Sequence, residues 1–128
     1  YHFQSTVEYH CFLLLEWSDL VLDVREQFPL HSLDETVAIA EDLGVKHPEQ
    51  TVRSQRQGSA KRSRRLEPMT TDFLVTLKRP ADEPELPVEV ALSTKRSSAL
   101  RDTPRKVDRL LEKAEIERRY WARRGIPF

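Results

Sequence analysis

Two short blocks hold residues that could do chemistry together. "MTTDFLVTLK" (69–78) places Asp72 at the head of an apolar run, and "VEVALSTKR" (88–96) closes another run with Lys95, two residues after Ser93. Both runs have strand composition. Between them lies "RPADEPELP", with three prolines and three acids, which reads as a turn. Strands joined by so short a turn are antiparallel neighbours, so the start of one meets the end of the other. Asp72 and Lys95 then share one end of a sheet. A carboxylate and an ammonium placed there suit metal-assisted hydrolysis of a phosphodiester. The carboxylate holds Mg²⁺, which takes oxygen ligands and keeps several waters. The ion acidifies water and neutralises phosphate charge, while the lysine orients or deprotonates the attacking water.

Such a site usually carries a second acid two residues before the lysine, and here that position is Ser93. Strand alternation puts Ser93 and Lys95 on one face, with Leu92 and Thr94 on the other. Glu89 shares the face of Ser93, but four residues of strand put it roughly 13 Å away, too far for the same ion. The remaining oxygens nearby are the backbone carbonyl of Thr94 and the Ser93 hydroxyl, the latter acting through a water.

Other elements must position these groups. "STVEYHCFLLLEW" (5–17) predicts a largely buried helix, with Ser5 and Glu8 as a capping box. "LVLDVREQF" (20–28) predicts a strand. A second helix is expected over 33–43, with Ser32 and Glu35 as its capping box and Gly44 at its stop. Residues 46–68, "KHPEQTVRSQRQGSAKRSRRLEP", have no apolar period and read as a long, basic, mobile loop. Thr103 and Pro104 mark the start of a last helix that stops at Gly125. Tyr120 and Trp121 fall on its apolar face and are expected in the core. A further strand begins after Gly125, and the chain reads as one domain cut from a longer protein, since it does not start with Met. The order predicts a mixed α/β domain.

The net charge is zero, but it is unevenly spread. Residues 1–50 hold ten acidic and two basic side chains, whereas residues 51–66 hold six basic and no acidic ones. Residues 95–128 hold eleven basic and five acidic. This asymmetry points to an anionic partner for one face. Arg53, Arg56, Lys61, Arg62, Arg64 and Arg65 suit the phosphates of double-stranded DNA, and such contacts position a duplex without reading its sequence. The single cysteine, Cys11, excludes an internal disulfide and reads as a buried small apolar residue. No stretch is long and apolar enough to span a membrane, and a cytoplasmic protein with no membrane partner is expected.

"FLLLEWSDLVLDVREQFPL", "GVKHP", "MTTDFLVT" and "LLEKAEIERRYWARRGIPF" closely resemble the TnsA family, in order and over nearly the whole chain. These are the endonuclease subunits of two-part cut-and-paste transposases, CRISPR-associated ones among them. The resemblance implies an α/β, restriction-endonuclease-like (PD-(D/E)xK) fold, a mixed sheet flanked by helices, spanning residues 1–128. It implies Mg²⁺-dependent cleavage at the 5′ ends of the transposon, with Mn²⁺ able to substitute. It implies a TnsB-type partner transposase at the 3′ ends, a TnsC-type AAA+ ATPase, and a bacterial, nucleoid-associated setting. A downstream domain that contacts the ATPase would follow Phe128. The family's helix glutamate matches Glu8, its motif aspartate Asp72 and its lysine Lys95, which makes Asp72 and Glu8 the expected metal ligands. Glu26 and Gln27 become candidates to line the site, and Lys46 and His47 to approach the DNA backbone. Two departures stand out: Ser93 at the usually polar or acidic position, and Arg96, a further candidate DNA contact, where proline commonly follows the lysine. The alternative is a catalytically weakened or inactive DNA-binding scaffold in the same assembly.

Overall fold

A computed structural model describes residues 5–56, 59–78, 88–95 and 97–128, with side chains described outside 51–64 and Ser97. The candidate contact Arg96 and the acidic turn at 79–87 lie outside the described residues, as do the side chains of Arg53, Arg56, Lys61, Arg62 and Arg64.

Helix α1 (Thr6–Trp17) leads into strand β1 (Val21–Pro29) and helix α2 (Leu33–Leu43). Strands β2 (Glu49–Arg56), β3 (Ser59–Leu66), β4 (Thr70–Leu77) and β5 (Val88–Leu92) follow, then a 3-10 turn at Ser97–Arg101 and helix α3 (Pro104–Ala122). Ser5 caps α1 by accepting from the Glu8 amide at 3.2 Å. Gly44 ends α2 in the left-handed region at φ 68°, which a glycine adopts at no steric cost. Ser32 occupies the N-cap of α2 but makes no side-chain cap bond, so only half of that expected signature is realised.

The main sheet has the order β1-β4-β5 and is antiparallel throughout. A mixed sheet was expected; no described strand supplies a parallel pair. The segment after Gly125 nevertheless runs beside β5, where the Ala91 amide donates to the Pro127 carbonyl at 2.8 Å. Helices cover both faces. On one, Phe12 of α1 packs with Phe73 and Val75. On the other, Ile39 and Ala40 of α2 and Ile116, Tyr120 and Trp121 of α3 pack with Leu74 and Ala91.

Residues 46–68 are a hairpin, not the expected loop. β2 and β3 pair with each other in a separate two-stranded sheet, from Glu49 opposite Leu66 to Arg56 opposite Ser59. No apolar alternation marks these strands in the sequence. The Glu67 amide donates to the Pro48 carbonyl at 2.8 Å and closes the base.

Candidate active site

β4 and β5 pair as expected, with Phe73 opposite Leu92. That register continues one step to bring Asp72 against Ser93. β5 ends at Leu92, however, so Ser93, Thr94 and Lys95 lie past the strand rather than within it. Freed from the ladder, Thr94 turns its amide onto Asp72: the N–H donates to Oδ2 at 2.8 Å. The Thr94 hydroxyl donates to the same oxygen at 3.2 Å, and the Ser93 hydroxyl at 3.4 Å. Ser93 therefore helps to fix the aspartate. Three donors converge on Oδ2 of Asp72, and charge-assisted bonds of this kind hold a carboxylate firmly.

A cleft of about 220 Å³ opens beside this loop, lined by Asp72, Ser93, Lys95, Met69, Lys113 and Glu117 among others. Glu117 is the residue that the sequence reading missed. It lies on α3, only 8 % exposed, and it feels both Lys95 and Asp72 electrostatically. Burial pushes its carboxyl up to about 8; the negative charge of Asp72 adds to the rise, and Lys95 opposes it. A signal was present in the sequence. Leu110, Ala114, Glu117 and Trp121 recur at three- and four-residue spacing, so Glu117 is an acid on an apolar stripe. Carboxylates are almost never buried unless something pairs with them.

α3 is held in place from below. The Trp121 indole N–H donates to Thr71 Oγ1 at 2.8 Å, one residue before Asp72. Tyr120 stands edge-on to Trp121 and donates to the His31 carbonyl at 2.7 Å. Both aromatic residues are core, as expected. They fix the height of Glu117 against the sheet end.

Glu8 reaches this region differently. Its carboxylate accepts from Gln27 Nε2 at 2.8 Å, while Gln27 Oε1 accepts from Thr70 Oγ1 at 3.3 Å. Gln27 thus bridges α1 to the first residue of β4, two before Asp72. It does so at φ 46°, a left-handed conformation that costs a non-glycine residue of order 1–3 kcal/mol. Beside it, Glu26 has one buried carboxylate oxygen without a hydrogen-bond partner. Cys11 is half-buried and close enough to Asp72 for that charge to raise its thiol pKa, after burial, the larger cause. Among the described residues no three His, Cys, Asp or Glu side chains form a group that could hold a metal ion. The carboxylates that line the cleft are Glu67, Asp72 and Glu117, and the last two interact electrostatically.

The expected DNA contacts separate. Lys46 and Arg65 are exposed. His47 is 6 % exposed, and both ring nitrogens are engaged, Nε2 with Thr36 Oγ1 at 2.9 Å and Nδ1 with the Pro48 carbonyl at 3.0 Å. A buried, doubly engaged ring is a structural link between α2 and the hairpin base, not a phosphate contact. No described helix is long and apolar enough to cross a membrane.

The family model "TnsA-like endonuclease N terminal" matches residues 18–128. The chain is also 41% identical over all its 128 residues to the "Transposon Tn7 transposition protein TnsA" of Escherichia coli, and spans 38% of that protein's length. On these matches, which run through the Asp72 strand, the Lys95 loop and the Glu117 helix, the chain belongs to the TnsA-like endonuclease N-terminal family.

Proposed function

We propose that this chain is the nuclease part of a transposase endonuclease subunit, and that it cuts DNA at the 5′ ends of a transposon with Mg²⁺. The reading includes a restriction-endonuclease-like, PD-(D/E)xK topology, consistent with antiparallel strands flanked by helices on both faces. The observation that carries it is the cleft where Asp72, Lys95 and Glu117 meet.

The residues fit a hard divalent ion. Mg²⁺ is held by one or two carboxylates and keeps its remaining waters. Asp72 is fixed through Oδ2 and offers its other oxygen. Glu117 sits near it with a proton that a cation would displace. When bound, the ion would supply an acidified water and neutralise charge on the phosphate. Asp72 and Glu117 are the proposed ligands, with Glu8 held toward the strand start by Gln27 and the Thr94 carbonyl as further oxygens. Lys95 orients the attacking water and balances charge developing on the phosphate. Ser93, in place of an acid, acts on Asp72 instead of on the ion. The same substitution favours the second reading, a weakened or inactive scaffold subunit. A TnsB-type transposase cutting the 3′ ends and a TnsC-type ATPase are the proposed partners.

The test is strand-specific cleavage of a transposon-end duplex by the full-length protein with partner transposase, ATPase and Mg²⁺. Asp72→Asn and Lys95→Ala are expected to abolish 5′ cutting while 3′ cutting by the partner continues. Unchanged 5′ cutting in both variants would refute the assignment. A wild type that never cuts the 5′ strand would leave the scaffold reading standing.

A further inference from the structure

Lys113 and Pro48 line two adjoining clefts. One is the Asp72 cleft; the other, about 310 Å³, is bounded by Lys46, Glu49, Gln50 and Arg109. The second cleft lies at the root of the hairpin, whose first strand begins at Glu49. α3 therefore presents one wall that runs from Glu117, through Lys113, to the hairpin base.

The cations on that helix are not equivalent. Arg118 is bound to Glu115 at 2.6 Å, and Arg124, just past the helix, to Glu35 at 2.8 Å. Arg109 donates to the Lys46 carbonyl and pairs with Glu112 at 3.0 Å, tying α3 to the hairpin approach. Lys46 lies 3.7 Å from Glu49. Lys113 has no ion pair among the described residues, although it stands in a cleft that also contains Glu67 and Glu117.

The hairpin shows the complementary feature. Its register sets Arg53 opposite Arg62, and places Arg64 and Arg65 opposite the uncharged Thr51 and Gln50. Like charges directly opposite on paired strands repel. An isolated two-stranded ribbon is marginal in water even without that penalty. A polyanion laid along it removes the repulsion.

We propose that Lys113 is a phosphate-binding residue, and that α3 and the β2–β3 hairpin are two walls of one track for duplex DNA. In this arrangement the backbone of one strand passes from the Asp72 cleft, over Lys113, to the hairpin. The inference rests on the DNA-cleaving reading and adds where the duplex lies. It makes Lys113 a positioning residue, contacting substrate away from the scissile bond.

The experiment is binding of a labelled, random-sequence 30-base-pair duplex to the full-length protein, followed by anisotropy across a KCl series. Lys113→Gln is expected to weaken binding about 5- to 10-fold and to lower the salt slope by about one phosphate contact, near 0.9. Lys113→Arg is expected to restore both. Arg118→Gln, an equal charge loss on α3 at a residue that lines neither cleft, is expected to leave affinity and slope unchanged. If Lys113→Gln matches wild type, or if Arg118→Gln weakens binding as much, the track is wrong while the nuclease reading stands. If wild type shows no salt-dependent duplex binding, both fail.

Discussion

The sheet end and the hairpin are a few residues apart in sequence and differ in every physical respect. At the sheet end, Asp72 takes three hydrogen bonds, Glu117 is buried, and Trp121 and Thr71 lock helix to strand. The hairpin strands pair with each other in a separate sheet, and residues 51–66 carry six cations. One region is preorganised by packing, as chemistry on a phosphodiester requires. The other is a two-stranded ribbon in a sheet of its own.

The contrast can be broken or sharpened by substitution. The largest effect is expected at the rigid end. Trp121→Ala removes a 2 % exposed indole and strands the Thr71 hydroxyl, and should cost about 4 kcal/mol in denaturant unfolding. An effect below about 1 kcal/mol would mean that α3 is not locked to the sheet.

Next comes Glu117, with the opposite sign. Its carboxyl titrates near 8 when folded and near 4.5 when unfolded, so the native state binds the extra proton between those values. Stability is therefore highest below the lower value, falls as pH rises through the window, and levels off above about 8. Glu117→Gln should abolish that slope and stabilise the protein by about 3 kcal/mol at pH 7. Parallel pH profiles for wild type and variant would contradict the burial argument.

Smaller again is Gln27. Gln27→Gly relieves the left-handed backbone by about 1 kcal/mol but removes the hydrogen bond to the buried Glu8 carboxylate, which costs about as much, so the two offset in stability. Cleavage should fall while thermal stability changes by less than about 1 kcal/mol; unchanged cleavage would remove the positioning role of Gln27. The smallest effect belongs to the hairpin. Arg62→Gln should change stability by less than about 0.5 kcal/mol, and in the stabilising direction, because it relieves the Arg53 repulsion. A loss of 2 kcal/mol would show that the hairpin is packed after all.

Much of the rigid half was legible in the sequence. The apolar runs around Asp72 and before Lys95, divided by a proline-rich turn, dictated an antiparallel pair, and the cap residues placed the helices to within a residue or two. Three features were not legible, each for a physical reason. Strand alternation assumed that β5 continued to Lys95, but the chain leaves the ladder at Leu92, which is why Ser93 and Thr94 can both reach Asp72. Glu117 was hidden among the charged residues of "EKAEIERR", where its place on the apolar stripe is visible only when the helix is wound. The hairpin left no apolar period to find, and the backbone groups through which its strands pair are the same in every sequence.

The proposed function makes Asp72 and Glu117 one carboxylate pair, poised beside Lys95 for a divalent ion. Its most direct test is the ionisation of Glu117, followed by carbon NMR of the labelled side chain, with and without Mg²⁺. The expected result is a carboxyl that titrates near 8 without metal and is ionised at pH 7 once Mg²⁺ is added, with Asp72→Asn suppressing the response. A carboxyl that titrates near 4.5 and ignores Mg²⁺ would contradict it.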